Sequence, residues 1–248
     1  MSKTILITGA SRGIGRATAH LAGERGWAVG VNYAGNRAAA EEVVGLVARA
    51  GGRAVAVQGD VAREADVVSA FDQVERAFGP LDGVVANAGI VGPSQPLADM
   101  SAERLRRMFE VNVLGAYLCA REAARRLSKS RGGRGGSLVL VSSIAARLGS
   151  AFEYVDYAGS KAAVDTLALG LSKELGAEGV RVNAVRPGVT ETDIHASGGQ
   201  PDRAWRVGAT TPFGRPGRPE EIAEAIVWLL SDASSYVSGA LLDVSGAR

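Results

Sequence analysis

Seven short runs of nearly unbroken Val, Ile, Leu and Ala punctuate the chain, at residues 4–8, 28–32, 54–58, 83–86, 138–141, 181–185 and 240–244. A strand with one wet face alternates apolar and polar residues, whereas a continuous apolar run suits a parallel strand covered on both faces. Between the runs lie segments of helical period, at 14–25, 37–50, 64–78, 105–127, 157–175 and 219–230. This alternation predicts one α/β domain over residues 1–248: a doubly wound parallel sheet of about seven strands with helices on both faces. Right-handed crossovers then set the first two strands side by side and put a ligand crevice at the carboxyl ends of the strands. A chain of 248 residues is long enough to bury such a core.

Charge narrows the partners. The chain carries 28 basic and 26 acidic side chains, spread along its length, for a net charge of +2. Nucleic acid or an anionic membrane would call for segregated positive charge, so neither is an expected partner. No apolar stretch approaches the ~20 residues of a membrane span, and Met1-Ser2-Lys3 leads straight into the first run without a signal region. A cytoplasmic protein is the expectation. The single cysteine, Cys119, excludes an internal disulfide and lies in an apolar run, as a core thiol would. His20 and His195 stand apart from each other and from Cys119, so no metal site is expected.

The first run leads into Gly9-Ala10-Ser11-Arg12-Gly13-Ile14-Gly15, which opens a helix. A tight turn of small residues at a helix N-terminus brings unpaired N–H groups and the positive end of the helix dipole to a pyrophosphate. The spacing is G-x-x-x-G-x-G rather than the common G-x-G-x-x-G. An NAD site usually offers an acid at the end of the second strand, to hold the adenosine ribose. Here that position falls at Asn32-Tyr33, and the next acid is Glu41. Arg12 and Arg37 are candidates to pair with a 2′-phosphate, and Asn32 is a candidate neutral donor. NADP(H) is therefore the expected cofactor.

Tyr157 and Lys161 are four residues apart at the start of a helical segment and share one face. A free tyrosine has a pKa near ~10, and a neighbouring ammonium is expected to lower it toward neutrality for acid–base work. Ser143, just past the fifth run, can hold a substrate oxygen; Ser142 is the alternative. Tyr154 has Ala158 four residues on instead of a lysine, and fits a pocket wall or packing role. The stretch 190–218, rich in Gly, Pro and Thr, is too long for a plain connection and predicts a substrate lid, with His195 a candidate contact.

Residues 8–15, TGASRGIG, resemble the cofactor loop of the short-chain dehydrogenase/reductase family. Matches continue in order over almost the whole chain: Gly59-Asp60-Val61, Asn87-Ala88-Gly89, Asn112, Ser143, Tyr157-x-x-x-Lys161, and Arg186-Pro187-Gly188 with Thr192. The residue before Asn87 is Ala86, where the family usually has a second Asn. The resemblance implies a Rossmann-fold oxidoreductase moving hydride between nicotinamide and a carbonyl or secondary alcohol. It further implies Asp60 and Val61 at the adenine, Asn87, Ala88 and Gly89 passing close to the cofactor, and Lys161 on the nicotinamide ribose. Pro187, Gly188, Val189 and Thr192 would embrace the carboxamide, and Asn112 would complete a catalytic tetrad through a water-linked relay.

Within the family the pattern is most similar to bacterial 3-oxoacyl-[acyl-carrier-protein] reductases and glucose dehydrogenase-like members. A carrier protein is acidic, and Arg125, Arg126, Lys129, Arg131 and Arg134 could receive it. A sugar dehydrogenase or small-ketone reductase would need no such patch, and a non-catalytic NADP(H) sensor is the reading outside enzymes. Family members usually assemble as homotetramers through the helices expected here at 105–127 and 157–175.

Overall fold

The computed structural model describes residues 2–248. Its strands are β1 (Thr4–Ile7), β2 (Ala28–Tyr33), β3 (Arg53–Gln58), β4 (Gly83–Ala86), β5 (Gly136–Val141), β6 (Val180–Pro187) and β7 (Leu241–Val244). They form one seven-stranded sheet in the order β3-β2-β1-β4-β5-β6-β7, and every neighbouring pair is parallel. The central strands β1, β2 and β4 are buried at every residue, which is why their sequences do not alternate. The edge strands β3 and β7 are the partly exposed ones.

The helices are α1 (Gly13–Glu24), α2 (Arg37–Arg49), α3 (Glu64–Phe78), α4 (Ala102–Phe109), α5 (Gly115–Leu127), α6 (Ala145–Leu148), α7 (Val155–Leu175), α8 (Ile194–Ser197), α9 (Arg203–Gly208) and α10 (Pro219–Leu230). Two cores flank the sheet. On one face Val67 and Phe71 of α3, Cys119 of α5 and Val164 and Ala168 of α7 pack together. On the other, Ala19 of α1, Val43 of α2 and Ile222 and Ile226 of α10 do the same. Helices therefore cover both faces, as the sequence predicts. No helix among the described residues is long and apolar enough to cross a membrane.

The expected helix at 105–127 needs revision. It starts earlier, at Ala102, and is interrupted by a π-helical turn over Glu110–Leu114. Hydrophobic period cannot reveal such a turn, because one wider turn leaves the apolar stripe nearly in phase. Asn112 lies inside it.

Candidate active site

The strand order reverses between β1 and β4, so successive crossovers leave a crevice at the carboxyl ends of these strands. A cleft of about 990 Å³ opens there, at the top of the ~300–1,000 Å³ range of small-molecule sites. Gly9, Ser11, Arg12, Gly13 and Ile14 line one end of it, and Ser143, Tyr157 and Lys161 line the other.

The glycine loop is shaped by close approach. Gly9 has φ +61°, and a Cβ there would lie 2.9 Å from Ala88 Cα. A Cβ on Gly15 would meet Gly9 O at 2.6 Å and Asn87 Nδ2 at 2.7 Å, so Gly15 serves packing beneath the loop rather than ligand contact. Asn87 Nδ2 donates to Thr8 O (2.8 Å) and Gly9 O (3.1 Å), clamping the loop to β4. The first turn of α1 carries no acid, and no side chain caps it. Its first residues, Gly13 and Ile14, line the cleft, and an uncapped helix N-terminus at that place suits an anion. Across the cleft a Cβ on Gly13 would meet Thr192 Cγ2 at 3.3 Å, so the segment after β6 closes over the loop.

Two expectations at the adenosine end require correction. Asn32 cannot serve as a donor to a phosphate: its Nδ2 donates to Val57 O and Gly59 O (3.3 and 3.1 Å), and its Oδ1 accepts from Gly9 N (3.2 Å). It ties β2 to β3 and to the glycine loop. Arg37 does not line the cleft and turns along α2 to Glu41 at 3.5 Å. Arg16, one helical turn past Arg12, lines it instead, and the i, i+4 spacing was the available signal. Exposed Glu42 is the one carboxylate that α2 brings to the cleft. Asp60 accepts from Ala62 N (3.0 Å) and from Arg107 Nη2 (3.2 Å). Burial alone would raise its carboxyl, but these two partners outweigh it and hold it below the usual range. Val61, Ala88 and Gly89 line the same wall.

At the other end α7 starts at Val155, which puts Tyr157 in its first turn and Lys161 one turn on. Asp156, fully buried, accepts from Arg104 Nε (2.9 Å) and Nη2 (3.2 Å), and its Oδ1 also accepts from Tyr157 N at 2.8 Å. This pair fixes the start of α7 to α4. Of the two serines, Ser142 donates to Lys161 O at 3.0 Å, whereas the Ser143 hydroxyl interacts with the Tyr157 phenol. Pro187 ends β6, and Gly188, Val189 and Thr192 follow it along the cleft edge.

The expected electrostatics are reversed. Burial raises the Tyr157 phenol above its ordinary pKa and outweighs the opposing effects of the Ser143 hydroxyl and the Arg203 charge. Burial also draws Lys161 down to about 8, against the charge of Asp165. Lys161 Nζ donates to Val141 O at 2.8 Å and lies 5.7 Å from the Tyr157 ring centroid. The same low-dielectric pocket that would strengthen a lysine–phenolate attraction costs both charges their hydration, and here desolvation wins.

Asn112 stands behind this group, buried, and outside the cleft lining. Its Oδ1 accepts from Ile90 N (2.8 Å), and its Nδ2 donates to Ile90 O (2.9 Å) and Ser160 Oγ (3.1 Å). The side chain thus braces the π-helical turn to α7. Gly89 leaves room between it and the lysine: a Cβ there would lie 3.3 Å from Lys161 Nζ and 3.4 Å from Asn112 Oδ1.

The stretch 190–218 is not featureless. Its ends meet at a Thr190–Gly217 bridge, with Glu191 N donating to Gly217 O (2.9 Å), and it carries α8 and α9. His195 of α8 lines the cleft, as does Arg203 of α9, which the sequence did not single out. Arg203 pairs with Glu153 at 2.6 Å across a gap of fifty residues, a contact that only the fold reveals.

A family model described as "Enoyl-(Acyl carrier protein) reductase" matches residues 9–246. The chain is 50% identical over 243 residues to "Uncharacterized oxidoreductase YgfF" of Escherichia coli (strain K12), covering 98% of each. It is 42% identical over 248 residues to "L-rhamnose 1-dehydrogenase (NAD(P)(+))" of Sphingomonas sp. (strain SKA58), covering 98% of this chain and 95% of that one. A crystal structure of a short-chain type dehydrogenase/reductase from Mycobacterium marinum superposes with a TM-score of 0.91 at 35% identity, covering 98% of this chain and 94% of the other. With fold, motif order and near full-length similarity in agreement, the chain belongs to the short-chain dehydrogenase/reductase family and is a nicotinamide-dependent oxidoreductase.

Proposed function

We propose that this enzyme interconverts a carbonyl and a secondary alcohol on a small molecule, with NADP(H) preferred over NAD(H). The observation that carries the reading is one cleft with an anion cradle and two arginines at one end and the Ser143–Tyr157–Lys161 group at the other. The open N-terminus of α1, with the close approaches at Gly9 and Gly13, fits a pyrophosphate. Arg12 and Arg16 outnumber Glu42 at the adenosine end and suit a 2′-phosphate. In this reading Asp60 and Val61 hold the adenine, Lys161 the nicotinamide ribose, and Val189 and Thr192 the carboxamide. The bound dinucleotide supplies or accepts the hydride.

The protein's own part is positioning and proton handling. Tyr157, kept protonated by burial, donates its phenolic proton to the carbonyl oxygen during reduction. Ser143 holds that oxygen and stabilises the charge growing on it. Lys161 stabilises the phenolate left behind and relays the proton that restores it. The segment 190–218 acts as the lid, with its bridged ends as hinge.

Replacing both Arg12 and Arg16 with Ala should weaken use of NADPH about tenfold to a hundredfold, the equivalent of about 1.5–3 kcal/mol for a charge-assisted bond, and leave NADH nearly unaffected. Steady-state KM values for both cofactors check this; equal losses with the two would overturn the NADP assignment. A second expectation follows from Lys161. The lysine carries its proton below about pH 8 and loses it above, so kcat/KM for reduction should fall on the alkaline side of about 8. A profile flat to pH 10 would remove Lys161 from the proton path.

A carrier-borne substrate gains little support. Arg126 pairs with Asp72 and Glu75 (2.6 and 2.5 Å), Arg125 with Glu122 (2.8 Å), and Arg134 with Asp82 (3.0 Å). This cluster also sits where α5 feeds the amino end of β5, opposite the cleft. A free substrate in the cytoplasm is the better reading. Exposed Phe109, Leu114 and Tyr117 on α4–α5 support the homotetramer that the family resemblance implies.

A further inference from the structure

Four of the polar side chains that line the cleft on the Tyr157 side carry no step of the chemistry above and lie close together. Glu153 and Tyr154 come from the strip that leads into α7; His195 and Arg203 come from the lid. Arg203 Nη2 donates to Glu153 Oε2 at 2.6 Å, with the two side chains only 13% and 33% exposed. The guanidinium lies 5.0 Å from the centroid of the Tyr154 ring. Gln200 Nε2 donates to the Tyr154 hydroxyl at 2.7 Å, which leaves the phenolic proton free for another acceptor. His195 Nε2 meets Thr190 O at 2.9 Å; a carbonyl only accepts, so Nε2 carries the proton and Nδ1 is left as an acceptor.

This wall therefore offers donors and acceptors in balance. Glu153 Oε1 and Arg203 Nη1 have no partner among the described residues, and Arg203 Nε is buried without one. The Glu153 and Arg203 charges cancel, and burial draws His195 below its ordinary range, so the wall is neutral near pH 7. We propose that Glu153, Tyr154, His195 and Arg203 form a specificity wall for a polyhydroxylated substrate, a sugar or polyol. The inference rests on the carbonyl–alcohol reading above. Each hydroxyl both donates and accepts, and so answers both halves of such a wall. An acyl chain would strip water from a charged pair and return nothing. An anionic substrate would meet Glu153 beside Arg203 and gain no net attraction.

The test compares dehydrogenation of L-rhamnose and D-glucose with that of cyclohexanol, with NADP⁺, in the wild type, Glu153→Gln and Tyr154→Phe. The second variant removes one hydroxyl from a buried ring, which keeps the test valid should the first fold poorly. A site built to bind hydroxyls rejects partners that lack them by large factors. The ratio of kcat/KM for the better sugar to that for cyclohexanol should fall about thirtyfold or more in Glu153→Gln and about fivefold in Tyr154→Phe. Calorimetric binding of that sugar should weaken in parallel. An unchanged ratio in both variants, or a wild type that turns over cyclohexanol but neither sugar, overturns the polyol wall and leaves the carbonyl–alcohol reading standing. A wild type that turns over none of the three overturns both.

Discussion

Tyr157→Phe should lower kcat by about 10²–10⁴-fold, the range for loss of a positioned general acid, while cofactor binding and thermal stability stay close to wild type. The phenol end of Tyr157 is the only part the substitution removes, and its backbone N–H remains bonded to Asp156. The ring stays in place beside Lys161. Because burial keeps the phenol protonated, the wild-type side chain is an acid waiting for a carbonyl oxygen, a role that phenylalanine cannot fill. Stopped-flow turnover and a fluorescence titration of NADPH separate the two effects. A variant that keeps more than about a tenth of wild-type kcat would move the acid elsewhere in the site.

The second large effect concerns stability. Asp156→Ala should destabilise the fold by about 3–5 kcal/mol, because Arg104 would be left buried and unpaired. For a chain of this size that corresponds to a fall in Tm of roughly 6–20 °C. The Asp156 side chain is fully buried and that of Arg104 only 11% exposed, so solvent cannot repair the loss. Arg104 also donates to Pro93 O at 2.6 Å, and the damage should spread to the loop after β4. An apolar replacement of both partners, Arg104→Met with Asp156→Leu, should recover much of the stability, since it removes the stranded charge. Its kcat should still be lowered, because the Tyr157 N–H loses its acceptor. Thermal denaturation of the two variants decides this; a fall under about 2 °C for Asp156→Ala would show that Arg104 finds another partner.

Much of the architecture was legible because it follows from local pattern. Seven apolar runs became seven parallel strands, and their lack of alternation foretold helices on both faces. Tyr157 and Lys161 came together because four residues on a helix are one turn. What pattern could not show was which partner a polar side chain would choose. Asn32 looked free for a phosphate and was already bound to three backbone groups. Arg37 was closer to the expected phosphate in sequence than Arg16, yet helix direction turned it along α2 and toward Glu41. The Glu153–Arg203 pair joins segments fifty residues apart and had no local signal. The direction of the Tyr157 shift differs from the expectation for a related reason: the ammonium was visible in the sequence, and the depth of burial was not.

The measurement that reaches the central claim most directly is steady-state oxidation of NADPH and NADH by the wild-type enzyme against small ketones, diketones and keto-sugars. Turnover of a carbonyl with NADPH, at a kcat/KM well above that with NADH, is the result expected here. Tight NADPH binding with no turnover on any carbonyl in the panel would contradict it and identify a protein that senses the cofactor without using it.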